Sequence, residues 1–489
     1  MSNTSQTRVG SNAVKLTAAK FITMGIGLVS SMLLARFRSL TEYGTYSQMM
    51  MAVSLATSLI MLGLPNSINY FLGKAKSDEE RANFLSVYYT LSTLLSITVG
   101  VVLVAITPLL EVYFKNELIS SFWYFMATYP WTRVIMSGTE NLLIAYNKSN
   151  MLMAFKVANS VLLLAIILII QLVGGTFTQY IILFLGVEVA FTLWTYFVAK
   201  RNAKKLRISL NKELIKTIFK FSLPIGFASV VGTINIELDK LVITSMLSTE
   251  DLAIYANASK ELPVTIIATS ITAVLLPQVV KLLHNDQKEE AVNLWKSATT
   301  ISFAIISFIA VACFVFAPEV IEVMYSAKYL PGVSVFRVYC VVLLCRCTYF
   351  GMMLNATGKT KFILYCSIGM LLLNASLNYL FYILMGFVGP AIATFLATVL
   401  MQTLQLFYTS KTIKVRFSSI FPWKNCGLFI LFNGLCGVAI YFLKSAIESS
   451  WQINNIVCAI ALGVVWLAFF AAVVFKPLKK QWIFLNKER

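Results

Sequence analysis

Long apolar runs recur along the whole chain, separated by short polar segments. Each run is long enough for the roughly 20 residues that an α-helix needs to cross a bilayer. The pattern therefore predicts fourteen membrane-spanning helices, which we number predicted spans 1 to 14. They cover residues 16–36, 45–72, 84–107, 120–144, 152–172, 178–199, 218–247, 259–283, 297–317, 333–354, 361–384, 388–410, 426–447 and 453–475.

Composition supports an all-α polytopic membrane protein. Of the 489 residues, 58% are hydrophobic and only 12% are charged, whereas a soluble domain carries about 25% charged residues. No soluble domain is predicted between the spans. Residues 1–15 are polar, and no A-x-A-like cleavage site follows them, so we predict no cleavable signal peptide.

The net charge of +19 is distributed unevenly between the loops. The amino terminus, the even-numbered loops and the tail hold 25 basic residues, and the odd-numbered loops hold three. By the positive-inside rule, both termini are predicted to be cytoplasmic. The basic excess is therefore a topology signal, and we predict no nucleic-acid partner.

Four pairs of segments recur in the same order, which indicates an internal duplication. The offsets are 209, 212, 210 and 211 residues for "TEYGTYS" with "EDLAIYA", "GLPNS" with "LLPQV", "TPLLEV" with "APEVIEV", and "AYNKS" with "ATGKT". Each copy contains six spans, and an even number returns the chain to its starting side, so the repeats are parallel. The predicted domains are a six-helix lobe at 1–200, a basic linker at 201–217, a second six-helix lobe at 218–410, and two extra helices with a basic tail at 411–489.

Charged side chains inside the spans are the candidate functional residues, because each costs roughly 2.5–3.5 kcal/mol at the bilayer centre. They are Lys20, Arg133, Glu140, Glu188, Glu237, Asp239, Lys240, Arg337 and Arg346, with Arg36, Lys260 and Glu261 nearer the predicted outer ends. At about 100° per residue, Arg133 and Glu140 share one helix face. The repeat offset puts Arg346 opposite position 135, so two arginines are predicted at the same depth. Arg337 points to the opposite face and is predicted to be in an internal ion pair.

The segment "NIELDKLVI" (235–243) places three charges within four positions of an apolar span. Glu237 and Lys240 are three residues apart and are predicted to pair along the helix, with Asp239 turned away toward another helix. Two interpretations stay open, a structural ion pair near the outer interface and a site lining a cavity.

Other features of the sequence exclude several classes of protein. The eight cysteines all lie in predicted spans, and "CRC" (345–347) is expected inside a helix as small core residues. One histidine, His284, and no metal-type cluster argue against metal chemistry, and no nucleotide or hydrolase motif is present. We predict a transporter with no cofactor and no metal, not an enzyme. Pro65 and Pro277 are expected to break helices, and Pro224 is expected to kink span 7.

Several of these segments resemble the polysaccharide flippases. "LLARFRSLTEYGTYSQ", "KFSLPIG", "DKLVITSMLSTEDLAIYANA" and "LLPQVVKL" are similar to Wzx-type translocases of O-antigen and capsule repeat units. These belong to the multidrug/oligosaccharidyl-lipid/polysaccharide (MOP) exporter superfamily, which also contains multidrug extruders and lipid II flippases. The resemblance extends over nearly the whole chain.

The resemblance implies two lobes around a central cavity in a bacterial cytoplasmic (inner) membrane. It implies alternating-access transport of undecaprenyl-diphosphate-linked oligosaccharide to the outer leaflet, for lipopolysaccharide or capsule biosynthesis. The expected partners are this lipid-linked oligosaccharide and membrane lipid, with a polysaccharide polymerase as a further candidate. The candidate substrate-binding residues are Arg36, Arg133, Arg346, Lys240 and Lys260, and those for coupling or sugar contact are Glu140, Glu237 and Asp239.

Three alternatives remain at this stage. The lipid II flippases carry two extra helices, and fourteen spans fit that subfamily as well. A multidrug extruder, exporting organic cations against Na⁺ or H⁺, should favour an acidic cavity, whereas acids and bases roughly balance in these spans. A non-transporting scaffold of a polysaccharide-assembly complex needs no charge inside the membrane.

Overall fold

The computed structural model describes residues 2–203, 206–451 and 454–485. These residues form α-helices and short 3-10 turns, and no strand occurs among them. Helices are the expected result, because in hydrocarbon a chain must satisfy its own backbone N–H and C=O groups. The chain divides into two compact units, Met1–Ala253 and Ile254–Arg489.

The first unit contains eleven helices in its described residues. They are α1 (Ser2–Phe37), α2 (Leu40–Met61), α3 (Leu64–Lys74), α4 (Asp78–Ala105), α5 (Thr107–Phe114), α6 (Leu118–Ser121), α7 (Trp123–Ser137), α8 (Thr139–Ala145), α9 (Ser149–Val173), α10 (Phe177–Ala203) and α11 (Lys212–Met246). Its core includes buried residues of α3, α4, α8 and α10.

The remaining helices begin with α12, which crosses the boundary between the units. They are α12 (Thr249–Ala258), α13 (Ile266–His284), α14 (Lys288–Val315), α15 (Ala317–Tyr325), α16 (Val333–Leu344), α17 (Met352–Ala356), α18 (Thr360–Met385), α19 (Gly389–Ile413), α20 (Phe417–Ile420), α21 (Trp423–Trp451) and α22 (Asn455–Leu485). One core cluster joins α13, α14 and α19, and another joins α14 to α22 around Trp466.

The helices agree with the predicted spans. Twelve segments of the described chain are long and apolar enough to cross a membrane. One of them, Thr360–Ile413, is 54 residues long and contains two helices of spanning length, α18 and α19. Predicted span 4 folds as α7 and α8, which are separated at Gly138. Counting these two features gives fourteen spans, so the predicted all-α polytopic fold is confirmed.

The duplication extends to individual turns. Asn147 (φ 55°) and Gly358 (φ 72°) both adopt the left-handed conformation, 211 residues apart. The next residue in each copy, Lys148 or Lys359, donates its N–H to a carbonyl five residues earlier, at 2.8 Å in both cases. Asparagine and glycine are the residues that most readily adopt this conformation at the end of a helix. The same backbone turn therefore recurs in both copies at the offset found in the sequence.

The two copies differ at the second helix of each repeat. In the first copy, Leu62 and Gly63 are left-handed and α3 begins with Pro65 in its first turn, so the expected break is confirmed. In the second copy, α13 continues through Pro277, so the break expected there was wrong. The helix is instead interrupted earlier, between Ala258 and Ile266. A 3-10 turn that begins at Pro263 lies in this connection, and proline is favoured in the first turn of a helix.

Helix α11 passes directly over the break between α2 and α3. A Cβ atom on Gly226 would lie 2.0 Å from the carbonyl carbon of Leu62, and one on Gly63 would lie 2.8 Å from the Gly226 nitrogen. Pro224 lies two residues before this contact, and α11 continues through it. The break and the long helix therefore approach each other at backbone distance, which only glycine permits.

This contact predicts opposite effects for two glycines of α11. Gly226→Ala should lower the free energy of unfolding by about 2–3 kcal/mol, because overpacking against backbone cannot be relieved by moving a side chain. Gly232→Ala is the matched control, since no atom lies within 4 Å of its Cβ position, and it should be neutral or stabilising by up to about 1 kcal/mol. Unfolding of the purified variants in detergent measures both values. Equal stability of the two variants would contradict the close approach.

Candidate functional site

A narrow cleft in the second unit holds two basic residues and one acid. It lies between the α12–α13 connection and α16, and its lining includes Lys260, Glu261 and Arg346. Arg346 Nε lies 3.0 Å from Glu261 Oε1. The rest of the lining is mostly apolar, including Leu262 and Phe336. The lining therefore contains one carboxylate, which is paired with Arg346, and two basic residues in mostly apolar surroundings.

A helix end positions Arg346. Helix α16 ends at Leu344, and the Arg346 N–H donates to the carbonyl of Leu343 in a tight turn. The side chain of Gln402, on α19, donates to the Cys345 carbonyl at 2.7 Å. The expectation that "CRC" lies inside a helix was therefore wrong, because a neighbouring amide side chain satisfies a carbonyl at the helix end.

In the first unit, Arg133 lies on α7 among polar side chains. Its Nη2 donates to the hydroxyl of Ser54, on α2, at 3.1 Å. Tyr129 is one turn earlier on the same helix and interacts electrostatically with the guanidinium group. The buried Glu188, on α10, interacts electrostatically with Arg133 and accepts a hydrogen bond from Asn159.

Glu140 pairs with two lysines. Its carboxylate forms an ion pair with Lys156, on α9, and its Oε1 lies 3.3 Å from the Lys20 ammonium group, on α1. Lys20 is 60% exposed and Lys156 is 28% exposed, so the inner pair is the better shielded one. This cluster joins three helices and carries one surplus positive charge.

The break at Gly138 separates Glu140 from Arg133. A Cβ on Gly138 would lie 2.5 Å from the Tyr88 hydroxyl, so the chain turns here against α4. Arg133 therefore lies on α7 and Glu140 on the separate short helix α8. Arg133 and Glu140 have different partners, although the sequence pattern assigned them to one face.

The charged residues of α11 have different surroundings in the structure. Lys240 donates to Glu237 at 2.8 Å, so the predicted pair is confirmed. Asp239 is buried, with 3% of its surface exposed, and lies on another face of the helix. Beyond the pair, the Tyr113 hydroxyl donates to the carbonyl of Leu241, which fixes this end of α11 against α5. The choice between a structural and a cavity-lining role stays a prediction.

Two other predicted residues have different surroundings. Arg36 is exposed in the last turn of α1, beside the buried Arg38, which donates to the Gly175 carbonyl. Arg337 does not pair with a carboxylate in the described part of the chain, so the expected ion pair was wrong. Its guanidinium group donates to the carbonyl of Phe314 and lies over the ring of that residue.

Sequence reasoning missed two intramembrane lysines. Lys156 lies inside predicted span 5 and neutralises Glu140, yet we did not predict a role for it. Lys444 lies near the end of predicted span 13 and pairs with Glu319 on α15, with Glu448 at 3.6 Å. Lys444 and Glu319 are only 12% and 9% exposed, so this pair attaches α21 to α15. Both lysines fall within the predicted spans, and that position was the signal available in the sequence.

A family model described as "Polysaccharide biosynthesis protein" matches residues 33–334, more than half of the chain. The chain belongs to this polysaccharide biosynthesis protein family. The match begins near the end of α1 and ends at the start of α16, so it covers most of the first repeat and part of the second. No curated protein matches the chain.

Solved transporter structures share the fold of this family member. The inward closed form of the lipid II flippase MurJ is 16% identical over 95% of this chain and 99% of its own, with a TM-score of 0.67. An inward-facing multidrug resistance MATE family transporter of the MOP superfamily is 18% identical over 82% of this chain and 98% of its own, with a TM-score of 0.65. A MOP superfamily transporter from Pyrococcus furiosus Vc1 is 17% identical over 82% and 95%, with a TM-score of 0.58. The resemblance to MOP superfamily exporters is thereby confirmed for the fold.

The ion pairs of Glu140 allow the role of Lys156 to be tested. In a double-mutant cycle, Glu140→Gln and Lys156→Met should show a coupling energy of about 1 kcal/mol or more, between the values for exposed and buried pairs. The matched cycle with Lys20→Met should give a smaller coupling, because Lys20 is more exposed and solvent screens it. Unfolding in mixed detergent measures all variants, and additive effects of Glu140→Gln and Lys156→Met would rule out the pair.

Proposed function

We propose that this protein is a flippase for undecaprenyl-diphosphate-linked oligosaccharide. It carries the lipid-linked unit from the cytoplasmic to the outer leaflet of a bacterial cytoplasmic membrane, by alternating access of its two six-helix lobes, and so supplies surface polysaccharide synthesis. The family match supports the polysaccharide pathway, and the fold shared with transporters supports a transport role rather than an enzymatic one.

The observation that carries the proposal is the pairing of acids with bases. Glu140 faces two lysines, Glu261 shares a cleft with Arg346 and Lys260, and Glu237 is paired with Lys240. An organic cation would have to displace these lysines and arginines to reach a carboxylate. A diphosphate, by contrast, meets surplus positive charge in the first two clusters. This pattern favours an anionic substrate over the cationic drugs of a multidrug extruder.

The chemistry of the substrate requires the protein to bind only its polar head. A sugar-diphosphate head cannot cross hydrocarbon alone, because its charges and hydrogen-bonding groups would be unsatisfied. Its prenyl tail is as apolar as the lipid and can remain in it. The protein must therefore provide cations and hydrogen-bonding groups for the head only. An arginine can grip a phosphate through two parallel N–H donors, which a lysine cannot do.

Arg346 has the central role in this proposal, with Lys260 beside it. In the absence of substrate, Glu261 keeps the guanidinium group in place at the helix end. When the diphosphate enters, it replaces Glu261 as the partner of Arg346, and the displaced carboxylate becomes available to sugar hydroxyls. Arg133, hydrogen-bonded to a neutral Ser54, serves the head in the first unit. Lys240 and Arg36 contact the substrate at other stages, and Glu140, Glu237 and Asp239 contact sugar hydroxyls or bind a coupling ion.

Arginine substitutions test the proposal. Arg346→Ala and Arg133→Ala should each reduce flipping at least tenfold, and Arg346→Lys should recover part of the activity because it keeps the charge without the bidentate geometry. Proteoliposomes containing a fluorescent undecaprenyl-diphosphate oligosaccharide measure this directly. A membrane-impermeant reductant bleaches only the outer leaflet, so active protein makes nearly all of the label accessible.

Arg337→Ala is the matched control, since Arg337 is an arginine of the neighbouring helix α16 that contacts Phe314 instead of Glu261. The Arg337→Ala variant should flip the labelled oligosaccharide lipid at the wild-type rate. Glu261→Gln separates binding from positioning: it should retain flipping, because Arg346 remains free to bind phosphate. Wild-type activity in the double variant Arg133→Ala/Arg346→Ala would disprove a diphosphate site at these arginines.

The orientation proposed here follows from the distribution of basic residues. Both termini and the linker at 201–217 face the cytoplasm, between lobes at 1–200 and 218–410. A reporter that is active only in the cytoplasm should be active when fused after Lys216 or Lys480, and silent near Asn116 or Thr249. Activity at Thr249 would reverse the orientation of the α11–α12 connection.

Lipid II is the second candidate substrate, because one observation favours it. The MurJ match leaves only 5% of this chain uncovered, fewer residues than α21 or α22 contains, so it reaches into both extra helices. The same proteoliposome assay with labelled lipid II separates the two. Faster flipping of lipid II than of the oligosaccharide lipid would assign the protein to peptidoglycan synthesis.

A further inference from the structure

A second charged cavity lies in the second unit, apart from the cleft around Arg346. It has a volume of about 660 Å³ and is bounded by α14, α20 and the first turn of α21. Lys296 and Lys424 line it, together with the aromatic side chains of Phe417, Phe421 and Trp423. No acidic residue is among its lining residues. We propose that this cavity binds the phosphate diester of an anionic phospholipid.

The two lysines have no counter-ion in the described part of the chain. Neither ammonium group lies within 4 Å of a carboxylate there, although other lysines, such as Lys288 with Asp286, do form such pairs. Two like charges beside one cavity repel each other, and an anion between them removes the repulsion. Helix α21 begins in the same wall, and the partial positive charge of a helix amino terminus adds to the attraction for phosphate.

The aromatic side chains make a fixed wall beside the lysines. The Trp423 ring lies 4.8 Å from that of Phe421 and 5.7 Å from that of Phe417, and Phe421 in turn packs against Trp295 of the core. The amide of Asn425 donates to Thr300, on α14, which ties the start of α21 to the other side of the cavity. The cavity is therefore built by packed elements from three helices.

The position of the cavity favours a lipid over a soluble anion. The span Trp423–Ser449 begins at Trp423, so the cavity lies where the chain enters the membrane. Trp423 is 44% exposed, and tryptophan is enriched at the level of lipid head groups. A phospholipid bound here places its phosphate between the lysines and its first methylenes against the rings. Basic cavities of this kind between membrane helices bind anionic head groups.

Native mass spectrometry of the purified full chain tests this inference. Wild-type protein titrated with phosphatidylglycerol should retain one lipid at least tenfold more tightly than phosphatidylcholine. Lys296→Gln/Lys424→Gln should lose that preference, and Lys296→Arg/Lys424→Arg should keep it. Lys359→Gln/Lys361→Gln removes the same charge outside the cavity and should behave as wild type. If the double glutamine variant does not fold, Lys424→Gln alone should weaken the binding about threefold.

Three results would overturn the inference. Equal loss in the Lys359/Lys361 variant would mean that total charge, not this cavity, retains the lipid. Equal retention of phosphatidylcholine would remove the role of lysine recognition. Full displacement of phosphatidylglycerol by millimolar inorganic phosphate would identify the cavity as a site for free phosphate. The readout does not depend on which lipid-linked sugar the protein carries, so failure here leaves the proposed flippase activity standing.

Discussion

The membrane interior contains no water to satisfy backbone N–H and C=O groups, and this constraint shapes the whole chain. An α-helix satisfies these groups with hydrogen bonds between its own backbone atoms. Where a helix is interrupted, the unpaired backbone groups need hydrogen-bond partners from other parts of the chain. The structure contains several interruptions, and charged residues cluster around them. Arg346 follows the end of α16, Glu261 lies in the α12–α13 connection, and Glu140 follows the break at Gly138. Helix ends leave space and free backbone groups, which a polar substrate can also use.

Charge pairing is the second consequence of the same low-dielectric surroundings. An unpaired charge in hydrocarbon is costly. Glu140, Glu237, Glu261 and Glu319 are each paired with a base, and Glu188 accepts a hydrogen bond from Asn159. The Lys444–Glu319 pair joins α21 to α15 within the second unit, outside the clusters discussed as candidate sites. Intramembrane charge alone therefore does not identify a transport site. The surplus of positive charge around Glu140 and Glu261 distinguishes those clusters from the balanced Glu237–Lys240 pair.

The duplication explains both the likeness and the differences of the two copies. The turns after α8 and α17 retain the same left-handed residue and the same hydrogen bond, since these depend on a few neighbouring residues. The second helix of each copy has diverged, with a break at Gly63 in one and at 259–265 in the other. As a result, the break in the first copy brings the backbone of Leu62 and Gly63 against Gly226. The break in the second copy instead places Lys260 and Glu261 beside Arg346.

The sequence by itself determined the spans, the duplication and the Glu237–Lys240 pair. These features depend on hydrophobic length, on direct similarity, and on a spacing of three residues within one helix, so neighbouring positions encode them. The tertiary structure decided where helices break and which charges meet. Pro65 interrupts its helix while Pro277 does not, because the outcome depends on what packs against each proline. Lys156 and Lys20 pair with Glu140 from two other helices. Arg346 pairs with Glu261, which lies 85 positions earlier in the chain. The packing of helices determines which of these distant residues pair, so the local sequence pattern does not predict the pairs.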